Sequence, residues 1–319
     1  MSEHMDKTKK IIVTGAAGLL GQNLILMLHE KGYTNIIAID KNKKNLAILK
    51  RLNNAITTIE ADLSKDGNWA DAFENTDTVL MLHAQITGLY REEFINNNIV
   101  ATEKVLGQIK KSNISYTVHI SSSVVNSVAK DYYTDTKKEQ ETLVLKSKIP
   151  CCILRPTLMF GWFDPKHLGW LSRFMERAPV FPVPGNGKYL RQPLYSRDFC
   201  RVIIAAMEKQ RVGETFDIVG QEEINYIDII RSIKRIKHLK TCIIKIPYHL
   251  FYCLLKCYAV FNKKPPFTAD QLTSLTAGDY FTGVDYEKCF NIKATPLNQA
   301  FEETYTHPEY SQIILERCE

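Results

Sequence analysis

An apolar strand that runs into three spaced glycines and then into a helix constrains this chain more than any other feature. Ile11 to Thr14 reads as the strand, Thr14-Gly15-Ala16-Ala17-Gly18-Leu19-Leu20-Gly21 as the turn, and Leu19 to His29 as the helix. Each glycine has its own steric task. Gly15 permits the tight turn, Gly18 lets the backbone approach a pyrophosphate, and Gly21 lets the helix pack close to the strand. The helix N-terminus, entered through Leu19 and Leu20, offers free N–H groups and a positive dipole end to phosphates. The alternative is a set of glycines that serve a plain turn. The strand before and the helix after favour a dinucleotide site.

The same alternation continues. Apolar strands are expected at Ile36 to Ile39, Thr57 to Glu60, Thr78 to Leu82, Tyr116 to Ile120 and Cys151 to Leu154. Helical patterns separate them, the longest from about Glu92 to Lys111 and another from about Thr134 to Leu145. Strands that alternate with helices and read as near-continuous apolar runs predict an α/β fold, a Rossmann-type doubly wound parallel sheet with both faces covered. After Arg155 the pattern changes. Six prolines from Pro156 to Pro193 punctuate a loop-rich stretch, and helices resume at Asp198 to Glu208 and Tyr226 to Ile236. The expected organisation is a disordered tail over residues 1–8 and a dinucleotide-binding domain over 9–160 with about 197–222. A smaller, mostly helical C-terminal substrate lobe takes 161–196 and 223–319.

With 319 residues, 45% hydrophobic and 24% charged, the chain has the composition of an ordinary globular protein. The +6 formal charge is scattered, with no basic tract interleaved with aromatics, so no nucleic-acid partner is expected. The eight cysteines form no CxxC pair and no Cys/His set with zinc spacing, so no metal is expected. No signal peptide is visible, and no apolar run is long enough to cross a bilayer. A cytoplasmic protein with reduced thiols is the natural expectation.

Two further groups carry chemistry. Asp40 lies nineteen residues beyond Gly21, at the end of the second strand. An acidic side chain there can accept both ribose hydroxyls of NAD, whereas a 2′-phosphate would meet a like charge. The alternative is an aspartate that caps the next helix. Tyr133 and Lys137 stand four apart on one helix face, after the serine-tipped strand ending in Ser121-Ser122-Ser123. A free tyrosine titrates near pH 10. A neighbouring ammonium and a nicotinamide cation favour the phenolate, which can take a proton from a hydroxyl whose carbon loses hydride. Lys137 is the electrostatic partner and a clamp on the nicotinamide ribose. Ser123 holds the reacting oxygen, with Ser122 as the alternative. A surface tyrosine is the plain reading of the pair.

On these residues the sequence resembles the extended short-chain dehydrogenase/reductases, within the NAD-dependent epimerase/dehydratase group, from about Lys9 to Tyr305. The resemblance implies that Asp62 and Leu63 flank the adenine and that Leu82, His83 and Ala84 line the cofactor. Asn98 matches a structural helix asparagine. Leu154-Arg155-Pro156-Thr157 resembles the segment turning over the nicotinamide, with Pro156 at the cofactor and Thr157 at the substrate. Arg191, with Asp198 seven residues on, resembles the arginine that binds a sugar nucleotide's diphosphate, a task suited to a guanidinium fork. Three features depart from the pattern. Only ten residues separate Ser123 from Tyr133, His83 replaces a small residue, and Leu158 stands where nucleotide-sugar enzymes often have asparagine.

The implied function is an NAD-dependent oxidoreductase acting at C4 of a nucleotide sugar, as a 4-epimerase or 4-ketoreductase in polysaccharide biosynthesis. A homodimer is compatible with it. A 4,6-dehydratase fits less well, because Ser123 is followed by Val124-Val125-Asn126 where those enzymes carry an acidic pair. A hydroxysteroid-type or other apolar-alcohol dehydrogenase is the alternative enzyme, and a non-catalytic dinucleotide-binding subunit the alternative of another class. Leu158 and the apolar helix Tyr248 to Phe261 would suit a greasy substrate or a membrane surface. For that helix, ordinary core packing is the favoured expectation.

Overall fold

The computed structural model describes residues 6–128, 130–261, 272, 276 and 281–316. Strand β1 (Ile11–Thr14) is buried at all four positions. Its side chains alternate between two cores, Ile11 and Val13 entering one and Ile12 the other. A strand with two apolar faces must sit inside a sheet covered on both sides. β2 (Ile36–Asp40), β3 (Thr57–Glu60), β4 (Thr78–Met81), β5 (Tyr116–Ile120) and β6 (Cys151–Pro156) follow, at or within two residues of their expected bounds.

Between them run α1 (Leu19–Glu30), α2 (Lys43–Leu52), α3 (Arg91–Phe94), α4 (Ala101–Lys111) and α5 (Tyr132–Ser147). The helix expected as one piece up to Lys111 is interrupted by a π-helical segment, Ile95–Val100. Asn98 sits in that segment. It accepts from Gln85 N–H at 2.6 Å and donates to Thr136 Oγ1 at 3.0 Å, tying the loop after β4 to α5. Asp131 caps α5 by accepting from Thr134 N–H at 2.9 Å.

Beyond β6 come β7 (Met159–Phe160), α6 (His167–Arg177), β8 (Val180–Pro184), β9 (Leu190–Arg191), β10 (Leu194–Tyr195) and α7 (Ser196–Lys209). Then follow β11 (Thr215–Ile218), β12 (Ile224–Asn225), α8 (Tyr226–Ile236), β13 (Cys242–Ile246) and α9 (Tyr248–Phe261). Two short helices, Tyr286–Phe290 and Leu297–Thr306, and a 3₁₀ turn, Tyr310–Gln312, close the described chain. The seven-stranded sheet has the order β11-β6-β5-β4-β1-β2-β3, all parallel. Strand order reverses between β1 and β4, and a crevice opens at the carboxyl ends there.

One face is covered by α1 and α7, through Leu24, Leu28, Phe199 and Ile203. The other is covered by Trp69, Phe73, α4 and α5, through Val105, Ile109 and Val144. A third core joins Phe160, Leu171, Phe181, Ile230 and Phe301.

Two expectations change. The smaller lobe is mostly helical as expected, and it also holds the two-stranded pairings β12–β9 and β13–β8, while its β10 pairs with β7. Of the expected disordered tail, residues 1–5 lie outside the described residues, but residue 7 is held. Lys7 pairs with Glu208 at 2.9 Å and lies over the Tyr33 ring. Core packing fails for α9: none of Tyr248 to Ala259 is buried. Among the described residues, no helix is long and apolar enough to cross a membrane.

Candidate active site

A cavity of about 530 Å³ lies at the strand-order reversal. Gly15, Gly18, Leu19 and Leu20 form one wall. Gly15 has φ +67°, and a Cβ there would lie 2.7 Å from the backbone of His83. Gly18 is different. A Cβ would meet only Gly15 O, at 3.6 Å, so no protein atom demands glycine there. The added carbon would instead narrow the approach to the helix N-terminus, the cradle a pyrophosphate requires. Gly21 does not line the cavity. A Cβ there would strike Ala16 O, so Gly21 packs the helix onto the turn itself, rather than onto the strand.

Asp40 also lines the cavity. It accepts from Ala17 N–H and Asn42 N–H, both at 2.9 Å. Burial raises its carboxyl pKa, against those two amides and Lys41. The contact with Ala17 couples the end of β2 to the glycine turn. Asp62, Leu63, Leu82, His83 and Ala84 line the same cavity. Burial works against the Asp62 carboxylate, yet its bonds from Ser64 hold it below the usual carboxylate range.

Ser121, Ser122, Ser123, Tyr133, Lys137, Pro156 and Thr157 reach the cavity from the other side. The short spacing between Ser123 and Tyr133 does not pull the tyrosine away, because Ser123–Asn126 forms one tight 3₁₀ turn before α5 begins. Of the three serines, Ser122 is the one whose side chain acts on the Tyr133 phenol, pulling its pKa down. Ser121 is spent elsewhere. It donates to Glu141 at 2.5 Å, and Glu141 is held by Arg155.

The electrostatics depart from expectation. Burial raises the Tyr133 pKa, against the pull of Ser122, so the phenol is held protonated. Lys137 does not offset this. Its ammonium donates to Ile120 O at 3.0 Å and Gln140 Oε1 at 2.5 Å. Burial pushes Lys137 down to about 7, against the pull of Glu141.

Behind Lys137 runs a buried polar chain that the sequence reading missed. Gln140 donates to Thr102 Oγ1 at 2.8 Å, Thr102 meets His83 Nε2 at 3.0 Å, and His83 Nδ1 meets Thr14 Oγ1 at 2.8 Å. Burial, then Lys137, pushes His83 down to about 3, so its imidazole is neutral, with one nitrogen donating and the other accepting. The larger residue at position 83 thus serves a hydrogen-bond chain. Gln140 carried a sequence signal: it follows Tyr133 by seven and Lys137 by three, on the same helix face.

Arg191 does not line this cavity. It is buried on β9, beside the stacked rings of Tyr189 and Tyr226 at 5.2 Å. Burial lowers its pKa, against both tyrosines. Asp198 does not face it, but accepts from Thr295 and pairs with Arg201. Leu158, Ile86 and Phe281 add apolar lining, and Lys166 bridges to Thr87 Oγ1 at 2.8 Å.

A nucleotide-binding sheet edge joined to a tyrosine–lysine pair defines a class of dinucleotide-dependent enzyme. The family described as "NAD dependent epimerase/dehydratase family" matches residues 11–219. The chain belongs to this family and is an NAD-dependent enzyme. It is 26% identical to the dTDP-glucose 4,6-dehydratase of Escherichia coli over 71% of this chain and 76% of that protein. It is 23% identical to the sterol-4-alpha-carboxylate 3-dehydrogenase, decarboxylating, of Mus musculus over 95% and 92%. A trifunctional Arabidopsis thaliana relative, UDP-glucose 4,6-dehydratase among its activities, is 24% identical, and the chain spans only 40% of its length. Among solved structures, the UDP-glucuronic acid 4-epimerase of Bacillus cereus with NAD superposes with TM-score 0.68 at 23% identity, covering 93% of this chain and 97% of that one. The UDP-glucose 4-epimerase of Thermotoga maritima with UDP-glucose gives TM-score 0.72 at 18% identity over 92% and 97%.

Proposed function

We propose that this enzyme oxidises or reduces the C4 position of a nucleotide sugar, as a 4-epimerase or 4-ketoreductase. The observation that carries the reading is the convergence of Ser122, Tyr133 and Lys137 on the cavity that the glycine turn and Asp40 also line. The residues fit NAD, with the Gly18 cradle for the pyrophosphate and Asp40 for the ribose. NAD, when bound, supplies the hydride acceptor and donor. Tyr133, protonated as burial holds it, gives its proton to the carbonyl oxygen in reduction, and as the phenolate left behind takes a proton from a sugar hydroxyl in oxidation. Ser122 holds that oxygen beside the phenol, which moves the serine role from Ser123 to its neighbour. Lys137 is fixed on the same wall by Ile120 O and Gln140. Thr157 borders the sugar; Arg191 lies outside this cavity, buried on β9, and would meet the diphosphate only if the substrate reaches into that lobe. No acid follows the serines within Ser123–Asn126, which disfavours a dehydratase. The expected location is the cytoplasm.

A second reading, dehydrogenation of an apolar alcohol, is favoured by Leu158, Ile86 and Phe281 on the cavity wall. One experiment separates the two. Purified enzyme with NAD is offered UDP-, dTDP-, GDP- and CDP-hexoses and a set of sterol alcohols, and products are read by NMR. Turnover of a nucleotide sugar is expected. Tyr133→Phe should lower it by about 10² to 10⁴ with NAD affinity unchanged, and Ser122→Ala should cost more than Ser123→Ala. Turnover of sterols alone, or full activity in Tyr133→Phe, would overturn the proposal.

A further inference from the structure

Helix α9 is apolar at every position but His249 and Lys256, yet it is not enclosed. Leu250, Leu254 and Tyr258 lie along one stripe at spacing four and are 54%, 51% and 47% exposed. Cys253 and Cys257 beside them are exposed as well. A helix this apolar normally lies in a core or in lipid. The strand before it continues the pattern. On β13 and its partner β8, Phe181 and Ile243 turn to the lobe's core, while Val180 and Ile244 on the opposite face are each 40% exposed.

Charge identifies the occupant. From residue 229 to 259 the chain carries seven Lys and Arg and no Asp or Glu. Two of these meet acids outside the stretch, Arg231 at Asp228 and Lys237 at Glu176. Arg235, Lys240, Lys245 and Lys256 are exposed. A second copy of the chain is a poor match, because a two-fold interface would set this basic surface against itself. An anionic bilayer offers both a negative headgroup layer and an apolar layer beneath it. Fourteen residues make a helix of about 21 Å, short of the roughly 30 Å hydrocarbon thickness, so α9 would lie in the interface rather than span it.

We infer that β13 and α9 dock the enzyme on an anionic lipid surface, with Leu250, Leu254 and Tyr258 among the acyl chains and the neighbouring lysines at the headgroups. The full chain is mixed with vesicles of phosphatidylcholine alone or of equimolar phosphatidylcholine and phosphatidylglycerol, and sedimented. Binding is expected to the anionic vesicles, weakening with salt, and not to the zwitterionic ones. Lys240→Glu/Lys245→Glu and Leu250→Asp/Leu254→Asp should each lower partitioning by about tenfold or more. All four side chains are exposed, and unchanged NAD affinity reports the fold. Wild-type protein left in the supernatant with anionic vesicles would overturn the inference, as would variants that sediment like wild type. So would a lipid-independent dimer dissolved by the leucine variant, which would assign the helix to a second copy.

Discussion

Helices α1 and α9 are both apolar, nearly equal in length and each preceded by a strand, yet they meet opposite fates. In α1, nine consecutive residues from Leu20 to Leu28 are buried. The sheet and α7 take one side, and Trp162, Phe163 and Leu315 close on Leu26. Enclosure is complete enough to bury Gln22 and Asn23, whose amides donate to Asn45 O and Trp162 O. In α9 not one of the first twelve residues is buried. Composition made both helices; enclosure came from topology. α1 follows a strand at the centre of the sheet, whereas α9 follows β13, paired only with β8. The sharpest break of this contrast is a matched pair of truncations. Leu24→Ala should destabilise the protein by about 2 to 5 kcal/mol, and Leu254→Ala by less than about 0.5 kcal/mol. Thermal and urea unfolding measure both. Equal losses would mean that α9 is as enclosed as α1.

A similar contrast is expected between the half that carries the glycine turn and the lobe that carries β9. If Arg191 grips the diphosphate of a nucleotide sugar, Arg191→Ala should weaken that ligand by about 1.5 to 3 kcal/mol. NAD affinity should stay within error, since the glycine turn and Asp40 belong to another region of the chain. Calorimetry with each ligand decides it. Matching losses for both would signal a folding defect.

What the sequence made legible follows the same division. β1, β2, β4, β5 and β6 could be read because both faces of each strand are buried, which leaves continuous apolar runs. The pairings β7–β10 and β9–β12 could not, because two-residue strands have no periodicity. β8 is written Val-Phe-Pro-Val-Pro, and its prolines argue against a strand, although a small peripheral pairing tolerates them. In the cavity, glycines and acids at fixed offsets were readable from spacing alone. The order of the serines was not, because three adjacent serines are chemically equal in sequence, and all three line the cavity. The seat of Lys137 needed the strand beneath the helix as well, since Ile120 O is its second acceptor.

Lys137 tests how dry the cofactor half is. Its ammonium falls from the ordinary 10.5 to about 7 through burial. Between those values the unfolded chain binds more protons than the folded one, so stability from this group rises with pH over that window. Below about pH 7 the burial penalty is fully present. The slope reaches at most about 1.4 kcal/mol per pH unit. Lys137→Met should flatten it in urea unfolding between pH 7 and pH 10, whatever the variant does to absolute stability. An unchanged slope would mean that Lys137 is not buried as a cation.

The smallest expected effect concerns cofactor choice. Asp40 lines the cavity at the end of β2, where a 2′-phosphate would meet its carboxylate. Lys41 lines the same cavity and pulls on that carboxylate, but its ammonium also donates to Asn97 at 2.9 Å, so it offsets the charge only in part. NAD should therefore bind more tightly than NADP. Asp40→Ala acts in two ways. It removes the like charge, and it removes the acceptor for Ala17 N–H, which loosens the glycine turn for both cofactors. Absolute affinities mix the two effects, but their ratio isolates the first. The NAD-to-NADP ratio should narrow by about 1 kcal/mol, near fivefold, the size of a unit charge pair screened by water. Fluorescence titration of wild type and variant with each cofactor gives all four constants. A wild-type preference for NADP, or a ratio that Asp40→Ala leaves unchanged, would remove Asp40 from the ribose site and leave it as the acceptor that holds Ala17 in place.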